Sequence, residues 1–250
     1  MNGLKSELLK YRRTLIRKLI IWIPLFFALY SIVIRLLIPS LSDSWKGIIV
    51  LVFNWWPMIF LPLGMGLFGS MAAAQEKKTG NYRALLVHDI SPSVFWMHKV
   101  AAMAVHSFFS TLVLFISVMI PVLLFSKGEI PISQIITGCL VCWLASLVLI
   151  PIQLFAAVWK GILFSMGVAF AGMIVGIIAA SQSYWFVIPW SLATRLMCPI
   201  IGIHPNGTVL NAGDPLLNTS AIPVGIAVSV ILLIIITAIS GVWFRRREIY

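Results

Sequence analysis

The chain is poor in charge, and poorest in acid. Of its 250 residues, 18 are Lys or Arg and only 7 are Asp or Glu, while 61% are hydrophobic and 10% charged. Soluble domains carry about 25% charged residues, so a chain that meets water over most of its surface is excluded. The seven acids, Glu7, Asp43, Glu76, Asp89, Glu129, Asp214 and Glu248, fall in loops or at the ends of apolar runs. A proton- or sodium-driven transporter needs a carboxylate within the membrane, and none is placed there. Nor does the chain hold a His-Glu-x-x-His metal motif, a Ser with a matched His base, or a G-x-x-x-x-G-K-[ST] phosphate loop. Energised work must therefore draw on another subunit. Cys139, Cys142 and Cys198 are an odd set, against a disulfide framework. "CLVC" lies in an apolar run without a His or acidic neighbour, which favours packing over redox or metal chemistry.

What is present is long apolar runs. About 20 apolar residues cross a 30 Å hydrocarbon layer as a helix. Runs near 19–38, 47–74, 100–125, 131–155, 162–180 and 221–244 predict six spans in an all-α integral membrane protein, a single transmembrane domain over 1–250. The first run follows a basic stretch and has no small-residue cleavage site, so it reads as a span and not as a signal peptide. Pro57 and Pro62 predict a kink or partial unwinding of the second span, since proline removes a backbone donor. Gly172 and Gly176 in the fifth allow close helix approach. His106 in the third is read as a packing side chain bonded to a neighbour, in preference to a proton relay. Gln153 sits near the inner end of the fourth.

Basic residues set the orientation. Lys5, Lys10, Arg12, Arg13, Arg17 and Lys18 precede the first span, Lys77, Lys78, Arg83 and Lys99 lie between the second and third, Lys160 follows the fourth, and Arg245, Arg246 and Arg247 follow the sixth. The positive-inside rule makes that side cytoplasmic, with both termini there. Arg35, Lys46, Lys127 and Arg195 remain for the other side. Residues 4–19 predict a basic amphipathic helix lying in the interface, with Leu4, Leu8, Tyr11, Leu15 and Leu19 on one face. The formal net charge of +11 thus points to lipid and topology, not nucleic acid. "YWFVIPWSLATRLMCPIIGI", 184–203, carries Arg195 and is interrupted by Pro189 and Pro199. It predicts short helices at, or dipping into, the outer interface, with Trp185 and Trp190 at headgroup depth.

The stretch 72–102, "AAAQEKKTGNYRALLVHDISPSVFWMHKVAA", is the longest cytoplasmic loop between spans. Gly80 breaks the helix leaving the membrane, and Tyr82, Leu85 and Leu86 point one way. Ser91 caps a new turn, Pro92 sits just inside it and Lys99 reaches the membrane. A short helix across the cytoplasmic face is expected. A solvated connector carrying topogenic charges accounts for the same residues.

This arrangement resembles the permease subunits of type-2 ABC exporters, in which an acidic residue ends the second span and a Gly turn, a leucine-rich helix and a Ser-Pro turn precede a Lys that opens the third. Here these are Glu76, Gly80, Leu85–Leu86, Ser91–Pro92 and Lys99. More narrowly, "NWW", "QEKKTGNYRALL" and "LKSELLKYRRT" resemble lantibiotic-immunity permeases. The resemblance implies a second, related permease, two copies of a cytosolic ATPase that holds ATP and Mg, no cofactor in this chain, and expulsion of a cationic antimicrobial peptide. It implies a coupling helix seated on the ATPase, built from Glu76, Gly80, Asn81, Tyr82, Arg83, Leu85, Leu86, Ser91, Pro92 and Lys99. Arg83 stands where related exporters carry an acid, so the polar contacts differ. Trp55, Trp56, Trp185 and Trp190 are candidate substrate contacts, or an ordinary aromatic belt. Two alternatives stand beside this: a type-2 ABC permease for a lipid, polysaccharide or drug, and a membrane protein that sequesters peptide without transport.

Overall fold

The computed structural model describes residues 3–12, 14–37, 45–80, 82, 91–125 and 129–246. Its helices are α1 (Gly3–Lys10), α2 (Leu15–Leu37), α3 (Trp45–Trp55), α4 (Leu61–Lys78), α5 (Pro92–Phe125), α6 (Ile132–Ser146), α7 (Leu149–Lys160), α8 (Ile162–Ala179), α9 (Pro189–Ile201) and α10 (Ala221–Arg246). Apart from one isolated bridge, Ile203 with Val209, the described residues contain no β-structure. Six helical runs are long and apolar enough to cross a membrane: Leu15–Ile34, Lys46–Lys78, Pro92–Leu124, Ile132–Lys160, Ile162–Ala179 and Ala221–Arg246. The sequence places the same six.

In the second span the helix is interrupted at Pro57, as expected, while Pro62 falls within the first turn of regular α4. Pro57 opens a π-helical turn, Trp56–Phe60, that joins α3 to α4. Without its N–H the regular ladder cannot continue, and the wider turn takes up the freed carbonyls. Likewise α6 and α7 are one span bent at Leu147–Val148, just ahead of Pro151. Around this frame α2 lies along α5, α4 packs on α7 and α8, and α9 sits among α6, α8 and α10. Leu29, Leu163 and Ile234 point outward with more than half their surface open. Such faces suit hydrocarbon and not water.

Two expectations are corrected. Residues 4–19 are not one helix, because the chain turns between α1 and α2. There Arg12 N–H donates to the Leu9 carbonyl at 3.1 Å and Thr14 N–H to that of Tyr11 at 3.3 Å. Tyr11 is consequently buried while Leu15 is 57% exposed, and the five apolar residues do not share a face. The cause is competition for direction: α1 is bound to α5, whereas α2 must enter the apolar layer. The third span also begins at Pro92 and not near 100. "SPSVFWMHK" is therefore the first turns of a long helix and not a separate short one. Nothing between Pro92 and Pro121 breaks a helix, and Phe95, Trp96 and Lys99 find buried partners on the way.

Candidate functional site

At the end of the bundle that carries α1, four charges from three elements meet. Glu7 and Lys10 come from α1, Glu76 from the last turns of α4, and Lys99 from the third turn of α5. Lys99 Nζ donates to Glu76 Oε1 at 2.8 Å and to Glu7 Oε2 at 2.9 Å. Lys10 Nζ donates to Glu76 Oε1 at 2.7 Å and also to Glu7. Glu7, Glu76 and Lys99 are each at most 7% exposed, with only Lys10 reaching solvent. Both ammonium groups also lie 5.1 Å from the centre of the Phe95 ring. Two cations balance two anions, as burial demands: an unpaired charge in such a place costs several kcal/mol.

Tyr11 closes one side of the cluster, its ring edge-on to Phe68 at 5.4 Å and to the His106 ring at 5.0 Å. Burial, reinforced by the Glu7 and Glu76 carboxylates, holds its phenol above the ordinary range. His106 bonds through Nδ1 to the Ala102 carbonyl of its own helix at 2.8 Å. Gln75 Nε2 donates to the Lys10 carbonyl at 3.1 Å, a further tie between α4 and α1.

Glu76 and Lys99 stand at the two roots of the loop that joins α4 to α5. Gly80 there has φ +111°, a conformation that favours glycine, and Tyr82 follows at φ 67°. The Tyr82 ring is turned into the permease, edge-on to Phe244 of α10 at 5.2 Å and to Phe95 at 6.1 Å. Beside it Trp96 Nε1 donates to Ser240 Oγ at 2.9 Å, and Ser93 Oγ to the Gly241 carbonyl at 3.3 Å. Ser91 is exposed and its carbonyl accepts from Phe95 N–H at 3.0 Å, with Pro92 as the first helical residue. Asn81, Arg83, Leu85 and Leu86 lie outside the described residues. The loop's roots are therefore gripped by α1 through charge and by α10 through aromatic rings.

The opposite end is organised by the buried Asn54. Its Nδ2 donates to the carbonyls of Pro205 at 3.3 Å and His204 at 3.4 Å, pinning the turn that follows α9. Its neighbours in "NWW" diverge: Trp56 is 4% exposed and edge-on to Phe27, while Trp55 is 38% exposed beside Tyr30. Trp190 at the start of α9 lies against Gly172 and Gly176. A Cβ on Gly172 would come within 2.2 Å of its ring. Trp185 is half-buried beneath the Arg195 guanidinium at 5.5 Å, and Arg195 donates to the Leu216 carbonyl at 2.9 Å. Of the four tryptophans, then, Trp56 is a core residue, Trp190 is a helix wedge, and Trp55 and Trp185 retain open surface.

The sequence marks Glu76 and Lys99 separately, as the acid ending one span and the Lys opening the next, but does not single out Glu7 and Lys10. Lys10 reads as one more topogenic charge and Glu7 as a loop acid. The signal lay in their i,i+3 spacing on a short helix and in how few acids there are to pair. Cys139, Cys142 and Cys198 are buried and free, and among the described residues no three His, Cys, Asp or Glu side chains gather to hold a metal.

Neither the curated proteins nor the solved structures provide a match. A family model described as "ABC-2 family transporter protein" matches residues 3–176, from the start of α1 through most of α8 and including the four-charge cluster and the whole of the loop between α4 and α5. Permeases of this kind work with separate ATPase subunits. The chain accordingly belongs to the ABC-2 family of transporter proteins, as a multi-pass membrane permease subunit and not as the ATPase.

Proposed function

We propose that this permease exports a lantibiotic or similar cationic antimicrobial peptide from the membrane, and that residues 76–99 form its contact with the ATPase. The observation that carries the coupling role is the four-charge cluster: both roots of the loop are ion-paired to each other and to α1. A loop held in this way cannot be displaced without moving α4, α5 and α1 together. Closure of the ATPases on ATP and Mg would thus act on three elements at once. Tyr82 serves by fixing the loop's root on Phe95 and Phe244, and not as a knob inserted into the ATPase, since its ring is already buried. The excess of basic residues at this end supports a cytoplasmic position for it. A second, related permease would complete the path.

The peptide assignment rests on the resemblance of "NWW", "QEKKTGNYRALL" and "LKSELLKYRRT" to lantibiotic-immunity permeases. Trp55, which is exposed, and Trp185, which is half-buried, are the aromatic contacts we assign to an amphipathic peptide in the outer leaflet. The test is survival of cells expressing this chain with its ATPase and companion permease under several cationic peptides. Protection against a lantibiotic that disappears when the ATPase cannot hydrolyse ATP is expected. Protection that persists without hydrolysis would mean sequestration, and no protection with active ATPase would mean another cargo.

A further inference from the structure

Beside the charge cluster a groove of about 630 Å³ opens between α1, α2 and α5. Its mouth is basic. Lys5 comes from α1, Arg12 from the turn after it and Arg17 from α2, and Lys18 lines the adjoining hollow with Arg12 and Arg17. Arg17 is steadied by a 3.3 Å bond to the Arg12 carbonyl. The nearby acids are already engaged, because Glu7 and Glu76 are paired with Lys10 and Lys99. Among the described residues Lys5, Arg12, Arg17 and Lys18 make no ion pair, so no described carboxylate neutralises the mouth.

Below the mouth the groove is apolar. Phe109, Leu112 and Ile116 form a stripe on α5 and are 53%, 42% and 52% exposed, facing Ile20 and Ile21 of α2. From His106 to Ile116 the wall runs about 15 Å at helical rise, the depth of one leaflet of a hydrocarbon layer about 30 Å thick. Three cationic side chains gathered above an apolar slot of leaflet depth match one chemistry: an anionic headgroup with an acyl tail.

We propose that this groove is a binding site for one anionic phospholipid, held by Lys5, Arg12 and Arg17 with its chain along Phe109, Leu112 and Ile116. The lipid would fill the gap between α2 and α5 and fasten α1, and with it the charge cluster, to the bilayer. A free phosphate satisfies the mouth but leaves the slot empty, and a neutral lipid fills the slot but leaves the charge unanswered. The site goes beyond the export reading and does not depend on what the protein transports.

The test reconstitutes the full chain in phosphatidylcholine vesicles doped with phosphatidylglycerol, extracts it in mild detergent and measures the lipids that stay bound by mass spectrometry. Phosphatidylglycerol should be retained well above its share in the vesicle. Arg12→Ala with Arg17→Ala should lower that enrichment about thirtyfold, at roughly 1 kcal/mol per basic residue near a membrane surface. Leu112→Trp, which fills the slot and alters no charge, should lower it too, and it decides the matter if the double variant fails to fold. Arg245→Ala with Arg246→Ala removes equal charge outside the groove and should leave it unchanged. Equal retention of both lipids would overturn the proposal, as would equal loss in the two double variants, which signals diffuse attraction. Displacement of the lipid by soluble glycerol phosphate would likewise overturn it, in favour of a free-anion site.

Discussion

Replacing Lys99 with Met keeps its stem against Phe95 but leaves two buried carboxylates with Lys10 alone. Removing one partner of a buried ion pair costs about 3–5 kcal/mol, although the intact pair adds little to stability. Lys99→Met should therefore lower the thermal unfolding midpoint in detergent clearly. In a double-mutant cycle with Glu76→Gln the two effects should be non-additive, because both carboxylates and both ammonium groups belong to one network. Additive losses would mean the network does not act as a unit. Tyr11 offers the opposite case. Its hydroxyl is buried with no hydrogen-bond partner among the described residues, so its desolvation is uncompensated there. Tyr11→Phe retains the ring against Phe68 and His106 and should be neutral or stabilising by about 1 kcal/mol, read from the same melting curve. Tyr11→Ala, which removes the ring, should instead cost several times as much.

At the scale of elements, α9 shows how a segment of modest length is held inside a membrane domain. Pro189 starts it, Gly202 in the left-handed conformation ends it, and nearly every side chain between Ser191 and Cys198 is buried. Its seat is the Gly172–Gly176 face of α8, which lacks the Cβ atoms that would strike Trp190. Gly172→Ala should therefore overpack the contact and destabilise by about 1–3 kcal/mol. Trp190→Ala on its own leaves a cavity, yet combined with Gly172→Ala it should cost less than the sum. The measurement is thermal unfolding of the three variants, and a harmless Gly172→Ala would show that α8 and α9 are not in contact. Similar reasoning explains the long α5. Its early turns bury Trp96 against Ser240 and Phe244 and bring Lys99 to the acids, so tertiary contacts extend a helix beyond the apolar stretch that crosses the membrane.

On the scale of the molecule, the ends of the bundle differ in character. One holds α1, the charge cluster and the last turn of α10 with Arg245 and Arg246, while the other holds Asn54, the turn after α9 and the segment before α10. If the basic end is cytoplasmic, Lys78→Cys should react with a membrane-impermeant thiol reagent only in opened cells, and Asn218→Cys in intact ones. Both positions are exposed, and the natural cysteines are buried. Labelling of Lys78→Cys in intact cells would reverse the orientation and remove the ATPase from the loop.

Six spans, the break at Pro57 and the close approach at Gly172 and Gly176 are local facts, written in apolar run length, in a missing N–H and in a missing Cβ, so the sequence alone determined them. Where Glu7, Lys10, Glu76 and Lys99 would end up is a different kind of fact. A charge near a span end reads as solvated because water is the default partner, and only the docking of α1 onto α5 exchanged that water for two oppositely charged partners. The inward turn of Tyr82, the burial of Trp56 and the wedging of Trp190 against Gly172 were decided in the same way, by what faced them across the bundle. Composition and periodicity carry what a residue does to its own helix. Which distant side chain desolvates it depends on how the helices pack, and tertiary structure alone supplies that.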